Sequence, residues 1–170
     1  MTEEQARIRS YLQAQGARLS PAEVIDKVRA AMADLRRASA AVPAARFDER
    51  PEPEEWSGNE VMAHVVDAGR HFGDQIVAIL DGRPGVAREP SPAELRAADE
   101  WSATLERERE TLFARVRAAD PGTGLSETIE HRMFGPLNWR ETLLFMRLHD
   151  LDHVGQLQKI AAVLAGARLA

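Results

Sequence analysis

The chain has 170 residues, 44% of them hydrophobic and 29% charged, a length and balance that point to one folded domain over residues 1–170 rather than a disordered chain. Its net charge is −5 and its arginines are scattered among Glu and Asp, so there is no basic stripe to follow a phosphate backbone and no nucleic-acid partner is expected. With no Cys, disulfides, thiolate metal sites and a cysteine nucleophile are excluded, so any metal must be held by nitrogen or oxygen.

No run approaches the ~18 apolar residues of a membrane span, and the opening MTEEQARIRS lacks a secretory pattern, so a cytoplasmic protein without a membrane partner is expected. The first element is a short amphipathic helix within residues 1–16, with Ile8, Tyr11 and Leu12 on one face and Gly16 as its stop. Four longer helices then follow over residues 21–166, each announced by a cap residue with Glu three positions later. Ser20-Pro-Ala-Glu23 opens a helix carrying Val24, Val28, Met32 and Leu35, which Pro43 ends. Ser57-Gly-Asn-Glu60 opens one that ends near Asp81, before Gly82 and Pro84. Ser91-Pro-Ala-Glu94 opens a third, with Leu95, Trp101, Leu105, Leu112 and Val116 inward, and Asn138-Trp-Arg-Glu141 a fourth that reaches Gly166. The connections 43–56, 82–90 and 120–137 are long for antiparallel neighbours, so at least one crosses over. The last contains Thr128, Ile129, Met133 and Phe134 and is expected to form a short strand or a lid.

His149 and His153 lie four apart, so both rings leave one helical face at a separation that lets a single metal accept a nitrogen from each. That face also carries Leu143, Met146, Leu157, Ile160 and Leu164, so the two imidazoles interrupt an inward apolar stripe. His64 interrupts the stripe of Val61, Val65, Ala68, Phe72 and Ile79 in the same way. Three neutral imidazoles leave coordination positions open, as in catalytic sites, and suit Zn, Ni or Fe(II). The other reading is three packed histidines satisfied by neighbouring polar groups. Glu60, Asp67 and Gln156 are spaced to act behind the ligands, Glu60 chiefly as a capping residue. His71 is a candidate proton carrier at the core edge, and His131 is read as a surface residue. Arg70 and Arg147 are candidate carboxylate binders or surface ion pairs. Trp56, Trp101 and Trp139 are expected to fill the bundle and its ends, with Trp139 a possible pocket wall.

The segment Trp56-Ser-Gly-Asn-Glu60-Val-Met-Ala-His64, with Asn138-Trp-Arg-Glu141 and His149-Asp-Leu-Asp-His153-Val-Gly-Gln156, resembles the DinB-like superfamily of damage-inducible and thiol-dependent proteins. The resemblance implies a four-helix bundle of up-down-down-up connectivity, often homodimeric, in which His64, His149 and His153 bind a divalent metal. It further implies a small-molecule substrate and thiol transfer or isomerisation with mycothiol, bacillithiol or glutathione. The function expected is therefore a thiol-dependent S-transferase-type metalloenzyme; the alternatives are a non-catalytic metal-binding or stress-response helical dimer and a metal-free dimer with packed histidines.

Overall fold

A computed structural model describes residues 1–92 and 94–166. Five helices are present: α1 (Glu3–Arg18), α2 (Pro21–Ala41), α3 (Gly58–Leu80), α4 (Ala98–Ala118) and α5 (Trp139–Gly166). Among the described residues, no helix is long and apolar enough to cross a membrane.

Capping chemistry sets most of the starts. The reciprocal boxes at Ser20/Glu23 and Ser57/Glu60 form, and Asn138 Oδ1 accepts from the Glu141 backbone N–H while Glu141 reaches back to that of Asn138. Thr2 and Gln5 make a further box that starts α1. α1 continues past the expected stop, because Gly16 is a packing residue: a Cβ there would lie 2.9 Å from Glu141 Cγ, so glycine lets α1 settle on the first turn of α5.

The polar ties between helices give the direction of each. Along α2 and α5, Arg140 donates to Leu19 O at one end and Arg46 to Leu164 O at the other, so the two run parallel. Along α3 and α4, Trp101 Nε1 donates to Asn59 Oδ1, Arg70 pairs with Glu108, and Arg115 pairs with Asp81, so these are parallel too. Arg29–Glu110 and Arg36–Glu106 run in opposite order, which makes α2 and α4 antiparallel. The bundle is up-down-down-up, with α1 as the extra N-terminal helix on α5.

A parallel α3–α4 pair requires the chain between them to return along the bundle. α3 has 23 residues and is therefore ~34 Å long. Had α4 begun at Pro92, the ten residues 82–91 would reach at most ~35 Å and would have to climb a further ~9 Å. The expected Ser91 box accordingly does not form. Residues 82–92 and 94–97 run back along α3, held by Arg88 N–H on His71 Nδ1, Ser91 N–H on Asp67 Oδ1 and Asn59 Nδ2–H on Glu94 O. Leu95, expected inward, is 72% exposed, and α4 starts at Ala98 with Glu100 reaching back to the Ala97 N–H.

Residues 129–137 form a two-stranded antiparallel hairpin, β1 (Ile129–His131) and β2 (Gly135–Leu137), in the register Ile129↔Leu137. Alternation along β1 turns Ile129 and His131 inward. His131 is thus buried, not on the surface: the odd positions of β1 face the bundle, and its ring stacks on Phe72 while Nε2 meets Thr142 Oγ1 at 3.0 Å. Burial, with the nearby His71 charge, pushes its pKa down to about 4.

One ion pair is wholly internal. Arg109 of α4 holds Asp150 of α5 through two bonds of 3.0 and 3.1 Å, with side chains 3% and 0% exposed. Removing one partner leaves a buried uncompensated charge, so Arg109→Met is expected to lower the unfolding free energy by ~3–5 kcal/mol, and Arg109→Met/Asp150→Leu to recover most of it. Urea titration of the three proteins checks this; equal loss in the single and double variants contradicts it.

His131 predicts acid sensitivity. Its folded pKa of about 4 lies below the ordinary 6.5, so between these values the unfolded chain binds a proton that the fold refuses. Stability is therefore complete above pH ~6.5 and falls with pH down to ~4, by up to ~1.4 kcal/mol per pH unit for this group. His131→Phe should reduce the slope of stability against pH in that window by about one proton; an unchanged slope contradicts the assignment.

Candidate metal centre

The Ser57 cap fixes where α3 begins, and from that start Val61, Val65 and His64 fall on the side turned to α5. The Asn138 cap does the same for α5, placing His149 and His153 one turn apart, opposite His64. Because α3 and α5 are antiparallel, one donor on α3 meets a pair on α5.

The three Nε2 atoms converge. His64 Nε2 lies 3.1 Å from His149 Nε2, and His153 Nε2 lies 3.2 Å from the same atom. Nitrogens bound to one tetrahedral ion at 2.0–2.1 Å stand about 3.3 Å apart, so these two separations match ligand spacing, and the ligand atoms of all three residues lie within 4.8 Å of one another. No other group of three or more such side chains among the described residues comes together in this way.

The proton count also matters. His153 Nδ1 is 2.8 Å from Gln156 Oε1; that oxygen only accepts, so Nδ1 carries the hydrogen and Nε2 presents its lone pair. His149 Nε2 can carry at most one hydrogen for two neighbouring nitrogens. Hydrogen bonding among neutral rings therefore satisfies the triangle incompletely, whereas one shared cation accepts all three lone pairs.

Two of the rings, His149 and His64, are held toward the neutral form that a metal needs. Burial pushes His149 down to about 3, helped by His153, His64 and Arg109. Burial and the His153 charge also lower His64, while Asp67 opposes the shift.

The centre is buried from the bundle side and open on the other. A cleft of 450 Å³ reaches His64 and His149, one of 280 Å³ reaches His64, and one of 620 Å³ reaches His153. Trp56 stands between the last two, 39% exposed, its ring 11° from that of His153 at 6.4 Å and 5.0 Å from His64. It does not fill the bundle end as expected: it precedes the α3 cap, so it lies outside the helix and over the histidines. Trp101 and Trp139 are core residues, and Trp139, wholly buried with Nε1 on Thr123 O, is no pocket wall.

The other candidates are engaged elsewhere. Arg70 lines the 280 Å³ cleft but is held bidentate by Glu108, and Arg147 lines none of the three clefts. His71 lines the 450 Å³ cleft but is taken by Arg88 N–H and Gln75. Glu60 completes the α3 cap and pairs with Arg50. A further cleft of 630 Å³ between α3 and α4 touches none of the three histidines.

Comparison with known proteins bears on the fold and the family. No curated protein matches the chain. Among solved structures it is similar to TT2238, described as a four-helix bundle protein, at 22% identity with a TM-score of 0.58, covering 82% of this chain and 99% of that one; at that identity the likeness concerns the fold alone. The DinB superfamily matches residues 25–157, a span that contains all three histidines and both caps that position them, and this chain belongs to the DinB superfamily.

Proposed function

We propose that His64, His149 and His153 bind one divalent metal ion, Zn, Ni or Fe(II), and that the centre serves thiol-dependent S-transfer to a small electrophile. The observation that carries the reading is that the three Nε2 atoms converge at ligand spacing while clefts remain on their outer side. A structural site closes its fourth position with a protein ligand; here no fourth His, Asp or Glu joins the group among the described residues.

When bound, such an ion supplies Lewis acidity that makes a thiol easier to deprotonate at neutral pH. The protein's own share is positioning. Gln156 fixes the His153 tautomer and ring, α3 and α5 fix the other two rings, and Trp56 shields the histidines on one side. The thiol and its acceptor are proposed to enter by the clefts, in a protein proposed to be cytoplasmic and, as the family resemblance implies, homodimeric.

Untagged protein is expected to hold one ion per chain by elemental analysis, and His64→Ala, His149→Ala and His153→Ala each to lose it. Stoichiometric metal in all three variants overturns the site. Chelation should abolish transfer from mycothiol, bacillithiol or glutathione to an electrophilic acceptor, and metal should restore it. If chelation lowers only the melting temperature, the ion is structural.

Gln156→Ala should weaken metal affinity by about 10 to 100-fold with the fold intact, since the partner that orients a ligating imidazole is lost. Competition with a chromophoric chelator measures this, and unchanged affinity argues against Gln156 as the orienting group.

A further inference from the structure

The 450 Å³ cleft over His64 and His149 has walls of a particular kind. Phe72 and His131 lie face to face, 4.7 Å apart and 5° from parallel. Phe145 stands edge-on to both, at 5.4 and 4.7 Å, and Phe134 packs 5.7 Å from Phe145. Met133, 52% exposed, lines the same space with a polarisable sulfur. His131, buried and stacked on Phe72, backs the wall without adding charge, because its Nε2 is taken by Thr142 and burial keeps the imidazole neutral.

Walls of this composition distinguish between apolar ligands. An aliphatic chain gains only area, whereas a planar ring also finds offset and edge-to-face partners at the 4.5–7 Å separations usual for aromatic pairs. The volume lies in the lower part of the range for small-molecule sites, about 300–1,000 Å³. The nitrogen end of the cleft is the convergent histidines, so a ligand seated there meets apolar rings along its body and the lone-pair cluster at its head.

We infer that this cleft binds the aromatic ring of a small planar molecule with its electron-rich head toward His64 and His149, so that the substrate class is aryl rather than aliphatic. The placement of the head rests on the metal reading; the seating of the ring does not.

The test uses two ligands with one metal-binding head, benzohydroxamate and acetohydroxamate, and the variant Ala68→Leu. Ala68 is a partly exposed cleft residue one helical turn from His64, and leucine there fills the space beside the histidines without replacing one. On zinc-loaded wild type, calorimetry should find benzohydroxamate at least about tenfold tighter than acetohydroxamate, as the burial of a phenyl ring predicts. In Ala68→Leu, with its zinc content confirmed, the ratio should fall to about one while acetohydroxamate binds as before. Equal affinities on wild type, or a preference that survives Ala68→Leu, overturn the inference and leave the metal site standing. Saturation-transfer NMR on metal-free protein separates the other failure. Saturation of the phenyl protons by wild type but not by Ala68→Leu supports the ring site even if no metal is taken up, and no saturation by either protein overturns it.

Discussion

The structure turns on the contact between Arg109 and Asp150. Asp150 directly follows His149 and lies within the same helical turn as His153, so whatever fixes its direction on α5 fixes theirs. Arg109 fixes it with two parallel bonds at almost no exposure, an arrangement with geometric specificity that a hydrophobic contact lacks. The guanidinium also lies against α3, where a Cβ on Gly69 would come 3.2 Å from Arg109 Nε. Three helices are thus tied at one level, and two of them carry the histidines. The same positive charge helps to keep His149 neutral. A buried pair of this kind is weak evidence for stability, since apolar replacements of similar volume often match it. Its stronger consequence here is rotational: it holds the lone pairs of α5 toward α3.

The parallel α3–α4 pair has a second consequence. It forces residues 82–92 and 94–97 back along α3, and the anchors of these stretches, Asn59, Asp67 and His71, flank His64 on its own helix. The crossover thereby supplies Pro90 to two of the clefts that reach His64. Connectivity and access to the centre are one feature of the fold.

Much of this was legible in the sequence because its signals are local. Caps at Ser20, Ser57 and Asn138 and the 3.6-residue stripes needed only neighbours within a turn or two, and they place His64, His149 and His153 on facing sides. What sequence reading missed depended on distant geometry. Ser91-Pro-Ala-Glu94 has good capping chemistry, but the distance to be crossed required extended chain. Gly16 looked like a stop because the approach of Glu141, 125 residues away, is invisible locally. His131 and Trp56 were misplaced for related reasons: the inward register of β1 depends on where α3 and α5 leave room, and Trp56 lies outside the periodic run that would have set its face. Gln156 was the exception, since a spacing of three on one helix is itself a local signal.

The division between what is fixed and what is added also bears on chemistry. The three histidines sit on helices held by caps and by a buried ion pair, whereas several walls of the clefts come from connections: Trp56 from residues 43–57, Pro90 and Ser91 from the crossover, and His131 to Phe134 from the hairpin segment. Rigid elements hold donor atoms within a few tenths of an ångström more readily than loops do, and loops change without disturbing the core. An arrangement of this kind lets the walls change without moving the three nitrogens, so membership of the superfamily predicts the fold far better than it predicts the acceptor. In this chain the walls are the informative part, and their information is aromatic.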